Sequence, residues 1–306
     1  MQKIVILLGP TAVGKSTLGV ALARKFGMEI ISADSQQVWR EFDIGTAKPS
    51  KELRKEIPHY LIDIVSPAEN FDANRFLTLA DEAIADITRR GKKVLVIGGT
   101  GMYLRMLLKG NCEAPGRDEE IRKELKKRIE KEGLASLYQD LRKIDLPSAQ
   151  LIHPNDPIRI VRALEVWKLT GIPLSEFHER HHFQENRYMA LQIGLNVDRE
   201  ILYANINARV DTMMEQGWFQ EVQNLLQKYS EKIQPMRSLG YRELALAFQK
   251  KVSLEEAINQ IKKKTRHFAK RQLTWFRSDP SILWYPPDQK RSIEMEIKNF
   301  FGGSDV

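Results

Sequence analysis

The residues whose spacing carries the most chemistry are Gly9-Pro10-Thr11-Ala12-Val13-Gly14-Lys15-Ser16-Thr17, directly after the apolar run Ile4-Val5-Ile6-Leu7-Leu8. A G-x-x-x-x-G-K-S pattern between a strand and a helical pattern is a phosphate-binding loop. Gly9 and Gly14 allow backbone conformations in which successive N–H groups turn inward around phosphate oxygens. Lys15 supplies a mobile point charge, and the Ser16 hydroxyl can ligate Mg2+. The helix expected over 15–26 aims its positive end at the same spot. The chemistry so far is binding of a phosphate or diphosphate, with the reaction left open.

Two further groups qualify it. Residues 29–33 read as a short strand that delivers Asp34 and Ser35 at its carboxyl end, where open α/β sheets place their ligands. Asp34 there suits a general base or a magnesium partner, although a turn or helix-capping aspartate is the competing reading. The apolar strand expected over 92–97 runs into Gly98-Gly99-Thr100-Gly101. Phosphate-loop ATPases and GTPases commonly end such a strand in an acid that helps hold magnesium. Its replacement by a glycine-rich turn weakens a reading as an ATP hydrolase and suits close backbone approach to a ligand, with Thr100 as donor. His178, His181 and His182 lack the further ligands that a metal site needs.

Strands and helices alternate around these groups, with a strand expected over 58–64 and a helix over 71–90. That pattern predicts an α/β fold: a P-loop, doubly wound parallel-sheet core with a helical insertion domain and a helical C-terminal part. The insertion is expected over 113–188, with Ile121, Leu125 and Ile129 striping its first helix, and the core over 1–112 and 189–306. From Leu254 a long helix places Leu254, Ile258, Ile261, Thr265, Phe268, Gln272 and Trp275 on one seam. Its other faces carry Lys262, Lys263, Lys264, Arg266, Lys270, Arg271 and Arg277 with no acid between them, the footprint of a phosphate backbone. A net charge of +8 over 306 residues leans the same way. Hydrophobic content of 42% with no run of about 20 apolar residues predicts a soluble protein without a membrane partner. The N-terminus reads as a strand, not a signal peptide, and Cys112 stands alone, so the expected location is the reducing cytoplasm.

In this order, Gly9–Ser16, Ser32-Ala33-Asp34-Ser35, Asp43-Ile44-Gly45-Thr46-Ala47-Lys48-Pro49, Gly98–Gly101, Arg162-Ala163-Leu164-Glu165, Gly240-Tyr241-Arg242 and Arg271–Arg277 resemble the tRNA dimethylallyltransferases along nearly the whole chain. The resemblance implies transfer of a dimethylallyl group from its diphosphate to the exocyclic amine of the adenosine 3′ of the anticodon. The phosphate loop, residues 9–17, would then grip a leaving diphosphate with Mg2+ on Ser16. Arg237 matches the family's further cation, and Asp34 its general base. The resemblance further implies that Asp34, Ser35, Gln36, Gln37 and Thr100 hold the flipped base and its neighbours. Arg122, Arg159 and Arg162 would contact the anticodon stem-loop, with Lys270 and Arg271 on its phosphates. Val13 stands where the family often has Ser, and Ile158 where a polar or basic residue is frequent. The zinc-finger tail of eukaryotic members is absent, which suits a short bacterial form, expected to act as a monomer. The rivals are a nucleotide- or shikimate-type kinase and an RNA-binding ATPase.

Overall fold

Short apolar runs, three of them buried on both faces along most of their length, build one parallel sheet, the pattern expected when helices cover both of its sides. The computed structural model describes residues 1–183 and 186–302. In chain order the elements are β1 (Lys3–Leu8), α1 (Lys15–Phe26), β2 (Met28–Ala33), α2 (Lys51–Glu56), β3 (His59–Tyr60), α3 (Ala73–Arg89), β4 (Lys93–Gly98) and α4 (Gly101–Lys109). Next come α5 (Glu119–Glu132), α6 (Leu134–Ile144), α7 (Leu146–Leu151), α8 (Pro157–Thr170) and α9 (Leu174–His181). The chain continues with β5 (Met189–Leu195), α10 (Arg199–Glu215), α11 (Trp218–Lys228), a 3-10 turn (Pro235–Arg237), α12 (Tyr241–Phe248), α13 (Leu254–Arg277), β6 (Leu283–Tyr285) and α14 (Lys290–Phe301). Two compact units result, Met1–Leu108 with Asn186–Val306 and Lys109–Glu185.

In the first unit the strand order is β3-β2-β4-β1-β5-β6 with every pair parallel. Alternate residues of β1 enter different cores: Ile4, Ile6 and Leu8 join Phe76, Ile84 and Leu244, whereas Val5 and Leu7 join Leu22, Ile206 and Ile293. Helix α13 serves both, with Ile261 and Phe276 in one core and Ala269 in the other. Its buried line runs through Ala257, Ile261, Ala269, Gln272 and Phe276. Leu254, Phe268 and Trp275, placed on the seam by sequence spacing, are each more than a third exposed and edge it instead. The strand expected over 58–64 is only two residues long, because Leu61 and Asp63 adopt left-handed backbone. The turn carries the Asp63 carboxylate to Lys48 and, at 2.6 Å, to Arg54. Strand β6 is not among the expected elements, because three residues leave too short a pattern to read, whereas α14 falls in the expected helical C-terminal part.

The second unit packs Leu125, Leu137, Leu141, Ile160 and Leu164 into its own core. Leu125 is fully buried in α5, with Ile121 and Ile129 partly so, which agrees with the expected stripe. Glu165, also fully buried, is held by Arg122 at 2.7 Å, by Arg162 at 3.0 Å and by the Asp118 backbone N–H at 2.8 Å. A buried carboxylate survives only with such partners. Arg162 also donates to the carbonyls of Pro115 and Gly116.

Candidate active site

Strand β1 ends where the loop begins. Gly9 sits at φ +145°, and a Cβ there would come within 2.7 Å of the Leu195 carbonyl oxygen at the end of β5. Ala12 takes left-handed backbone at φ 63°, a cost that non-glycine residues tolerate chiefly at functional turns. Lys15, the first residue of α1, folds back to donate to the carbonyls of Gly9 at 2.9 Å and Pro10 at 2.6 Å. Ser16 and Thr17 are exposed at the head of the helix.

The loop is held from two other helices. From α13, Gln272 Oε1 accepts the Thr11 N–H at 2.9 Å. From α10, Arg209 Nη1 donates to Thr11 Oγ1 at 3.4 Å and Asn205 Nδ2 to the Ala12 carbonyl at 3.5 Å. Burial and then the Arg209 charge push the Lys15 ammonium down to about 7, while Asp34 pulls it back up. Burial also lowers Arg209, again opposed by Asp34. Two cations facing one carboxylate leave the cradle short of negative charge, a setting for a polyanion.

Asp34 stands at the carboxyl end of β2, and its Oδ1 accepts the Gln36 N–H at 2.8 Å. That is a turn aspartate in form, yet the same carboxylate is electrostatically coupled to Lys15 and Arg209, so the two readings coexist. Thr100, just past β4, accepts the Ser35 N–H at 3.2 Å, which ties the two strand ends together. Gln36 donates to Ser35 Oγ at 3.2 Å, and its own Oε1 is buried with no partner among the described residues. Gln37 accepts from Ser32 Oγ at 2.9 Å and donates to the carbonyls of Thr46 and Ala47. Its amide therefore anchors the Asp43–Pro49 loop. A cavity of about 510 Å³ joins Lys15, Ser16 and Asp34 to a wall that includes Val20, Ile30 and Ile97.

The structure brings residues 9–17, 34–37 and Thr100 into this one region, and separates other expectations from it. Arg237 lies exposed in its 3-10 turn, and the position expected for it at the loop is occupied by Arg209. The sequence did carry a signal for Arg209. Leu202, Ile206 and Met213 are buried on one face of α10, and Arg209 falls on the same spacing of four, three and four. A cation at a buried phase of an amphipathic helix asks for a reason. Arg122 and Arg162 are committed to Glu165, whereas Arg159 is exposed beside Asp156 at 3.2 Å. Lys262 and Lys264 of α13 find acids elsewhere, Asp211 and Glu243, so part of its positive run is neutralised in three dimensions. Lys270 and Arg271 are exposed and make no ion pair among the described residues. Those residues hold no cluster of three or more His, Cys, Asp or Glu suited to a metal ion.

Fold and site together define a phosphate-loop α/β protein with a helical insertion, whose anion cradle faces a carboxylate from the next strand but one. The chain belongs to the IPP transferase family, whose family model matches residues 37–279. It is 48% identical over 301 residues to a tRNA dimethylallyltransferase of Geobacter metallireducens, covering 98% of this chain and 97% of that one. A crystal structure of a tRNA isopentenylpyrophosphate transferase from Bacillus halodurans superposes with a TM-score of 0.72 at 39% identity, covering 99% of this chain and 96% of the other. A eukaryotic dimethylallyltransferase captured acting on tRNA gives a TM-score of 0.81 at 30% identity, over 100% of this chain and 81% of that one.

Proposed function

We propose that this protein transfers a dimethylallyl group from dimethylallyl diphosphate to the exocyclic N6 amine of the adenosine 3′-adjacent to the anticodon of tRNA, releasing diphosphate. The observation that carries the reading is the meeting of Lys15, Arg209 and Asp34 at one phosphate loop beside a cavity with an apolar wall. A kinase or ATPase must stabilise a phosphoryl group in flight. A carboxylate after β2 would suit a small-molecule kinase equally, but β4, beside β1, ends at Gly98 and runs into Gly99-Thr100, where phosphoryl-transferring enzymes commonly carry an acid. That arrangement suits a carbon centre placed one atom beyond a gripped diphosphate.

In the reaction the amine nitrogen attacks the first allylic carbon, and the carbon–oxygen bond to diphosphate breaks with its electron pair leaving on oxygen. The loop amides, Lys15 and Arg209 stabilise the growing negative charge. Asp34 takes the amine proton. An aromatic amine is a weak nucleophile, so Thr100 and residues 34–37 contribute chiefly by orienting a flipped-out base. The Ser16 hydroxyl lines the same cavity and is a hard oxygen donor, so Ser16 would be the residue to hold Mg2+. Bound there, the ion would supply further charge neutralisation on the leaving group. Exposed Lys270, Arg271 and Arg159 are the cations available to the anticodon stem-loop. The protein acts in the cytoplasm as a monomer on this reading; among the described residues no helix is long and apolar enough to cross a membrane.

One assay tests it. Unmodified tRNA is offered with labelled dimethylallyl diphosphate or with labelled ATP, and label is expected on tRNA from the prenyl donor alone. Label passing from ATP to a small acceptor, with none on tRNA from the prenyl donor, overturns the proposal.

A further inference from the structure

Glu221 stands in the first turn of α11, where an acid ordinarily serves the positive end of its own helix. Its carboxylate is turned to another segment. Oε2 accepts the backbone N–H groups of Asp43 at 3.0 Å and Ile44 at 2.7 Å. Oε1 accepts the N–H of Gly45 at 3.4 Å and the Tyr241 hydroxyl at 2.6 Å. Burial and then the Glu221 charge push that hydroxyl well above its ordinary value of 10, so it stays a donor. Four donors meet one group that only accepts, a demand that a carboxylate meets and an amide meets in part. The seat is close-packed: a Cβ on Gly45 would overlap the Trp218 indole, and so would one on Gly240. From the other side Gln37 donates to the Thr46 and Ala47 carbonyls. Ala47, at φ 49°, and Pro49 then line the cavity that holds Lys15, Ser16 and Asp34.

We propose that Glu221 is a positioning residue for donor specificity: through the amides of residues 43–45 it fixes Ala47 and Pro49 as part of the wall that limits the prenyl chain to five carbons. The proposal rests on the reading of the protein as a prenyltransferase acting on tRNA. The link from amides to wall is short. The Ala47 N–H bonds the Ile44 carbonyl at 2.9 Å, and the Lys48 N–H bonds the Asp43 carbonyl at 3.2 Å. The buried Lys48 ammonium closes the loop on the Asp43 carboxylate at 2.7 Å and on Asp63. The residues that Glu221 holds are therefore bonded directly to those that line the cavity. An extra methylene against an apolar wall that does not yield changes kcat/KM by roughly 10- to 200-fold. A ten-carbon chain adds a whole isoprene unit, which the seated wall excludes and a loosened one admits.

Transfer to unmodified tRNA is measured with dimethylallyl diphosphate and with geranyl diphosphate, its ten-carbon allylic homologue. The ratio of the two kcat/KM values, five-carbon over ten-carbon, should exceed roughly 100 in the native protein. Glu221→Leu removes all four bonds and should lower the ratio at least roughly tenfold. Glu221→Gln keeps one acceptor oxygen and should lower it less. Pro49→Ala trims the wall, leaves every Glu221 bond in place and should lower the ratio as well. Affinity for inorganic diphosphate with Mg2+ should stay as in the native protein in all three variants, because the phosphate loop is untouched. If Glu221→Leu does not fold, Glu221→Gln and Pro49→Ala decide. An unchanged ratio in the folded Glu221 variants overturns the role of Glu221, even where thermal stability falls. An unchanged ratio in Pro49→Ala overturns the wall, and a native ratio of about one overturns the chain-length limit. Lost diphosphate affinity places the damage in the phosphate loop and also overturns the proposal. Native protein that prenylates tRNA from neither donor overturns the functional reading itself, and this inference with it.

Discussion

Diphosphate binding should take up a proton above neutral pH, and Lys15 is the group that receives it. In the free protein its ammonium is pushed down to about 7 by burial and Arg209, against an ordinary value of 10.5. A bound diphosphate sets negative charge against the amine and restores the charged form. At pH 8 the free site then holds roughly 0.1 proton on Lys15 and the occupied site close to one, an uptake of about 0.9. Affinity for diphosphate should accordingly fall roughly tenfold per pH unit from about 7 toward 10, beyond the ligand's own ionisation. Calorimetry at pH 8 in buffers of different ionisation enthalpy reads the uptake directly. Lys15→Arg is the control, since a guanidinium does not lose its proton in this range and the Lys15 contribution should vanish. Native uptake near zero, or equal uptake in Lys15→Arg, refutes the reasoning. Folding feels the same shift with a definite sign. The unfolded chain keeps this proton up to its ordinary value while the folded, ligand-free site releases it near 7. Charged Lys15 therefore opposes folding below pH 7, and that opposition fades as pH rises toward 10.5.

Three other perturbations separate the remaining roles. Asp34→Ala should lower kcat by roughly 10²- to 10⁴-fold while tRNA affinity stays nearly intact; a collapse in affinity with a normal rate per bound complex would make Asp34 a binding residue. Lys270→Glu with Arg271→Glu should weaken tRNA binding and reduce the slope of log K against log salt by roughly 1.5 to 2, and an unchanged slope would move the RNA surface elsewhere. Glu165→Gln should cost the second unit roughly 3 kcal/mol by leaving Arg122 and Arg162 without their buried partner. Chemical denaturation would show it, and unchanged stability would return both arginines to the RNA surface.

Legibility in the sequence followed the range of the interactions. The phosphate loop, α1 over 15–26 and the β2 and β4 strand ends rest on contiguous residues, so pattern alone located them. Asp63 illustrates the opposite case. Its left-handed backbone is sustained by Lys48 and Arg54, at some distance along the chain, and periodicity showed no reason for the strand to stop. The absence of acids between Lys262 and Arg277 was read correctly, but Asp211 and Glu243 belong to other helices, so the paired and unpaired cations could be told apart only in three dimensions. Arg122 and Arg162 exposed the same weakness in reverse. Basic residues at recognisable positions suggested RNA, and only the burial of Glu165 reveals the internal work they do.

The cation of the leaving-group site turns on the same distinction. Arg237 lies just before the Gly240-Tyr241-Arg242 motif, yet its three-residue 3-10 turn buries Pro235 and Met236 and leaves Arg237 exposed. Arg209 has no motif around it. What it has is a rigid helix whose Leu202, Ile206, Val210 and Met213 are buried, so its guanidinium must point where the core face points, toward Thr11. Burial lowers its affinity for a proton, and Asp34 works against that loss. A residue kept charged under such conditions stabilises an anion far better than a solvated one, because water no longer competes for it. Preorganisation therefore favours the cation that the core positions over the one that the motif advertises.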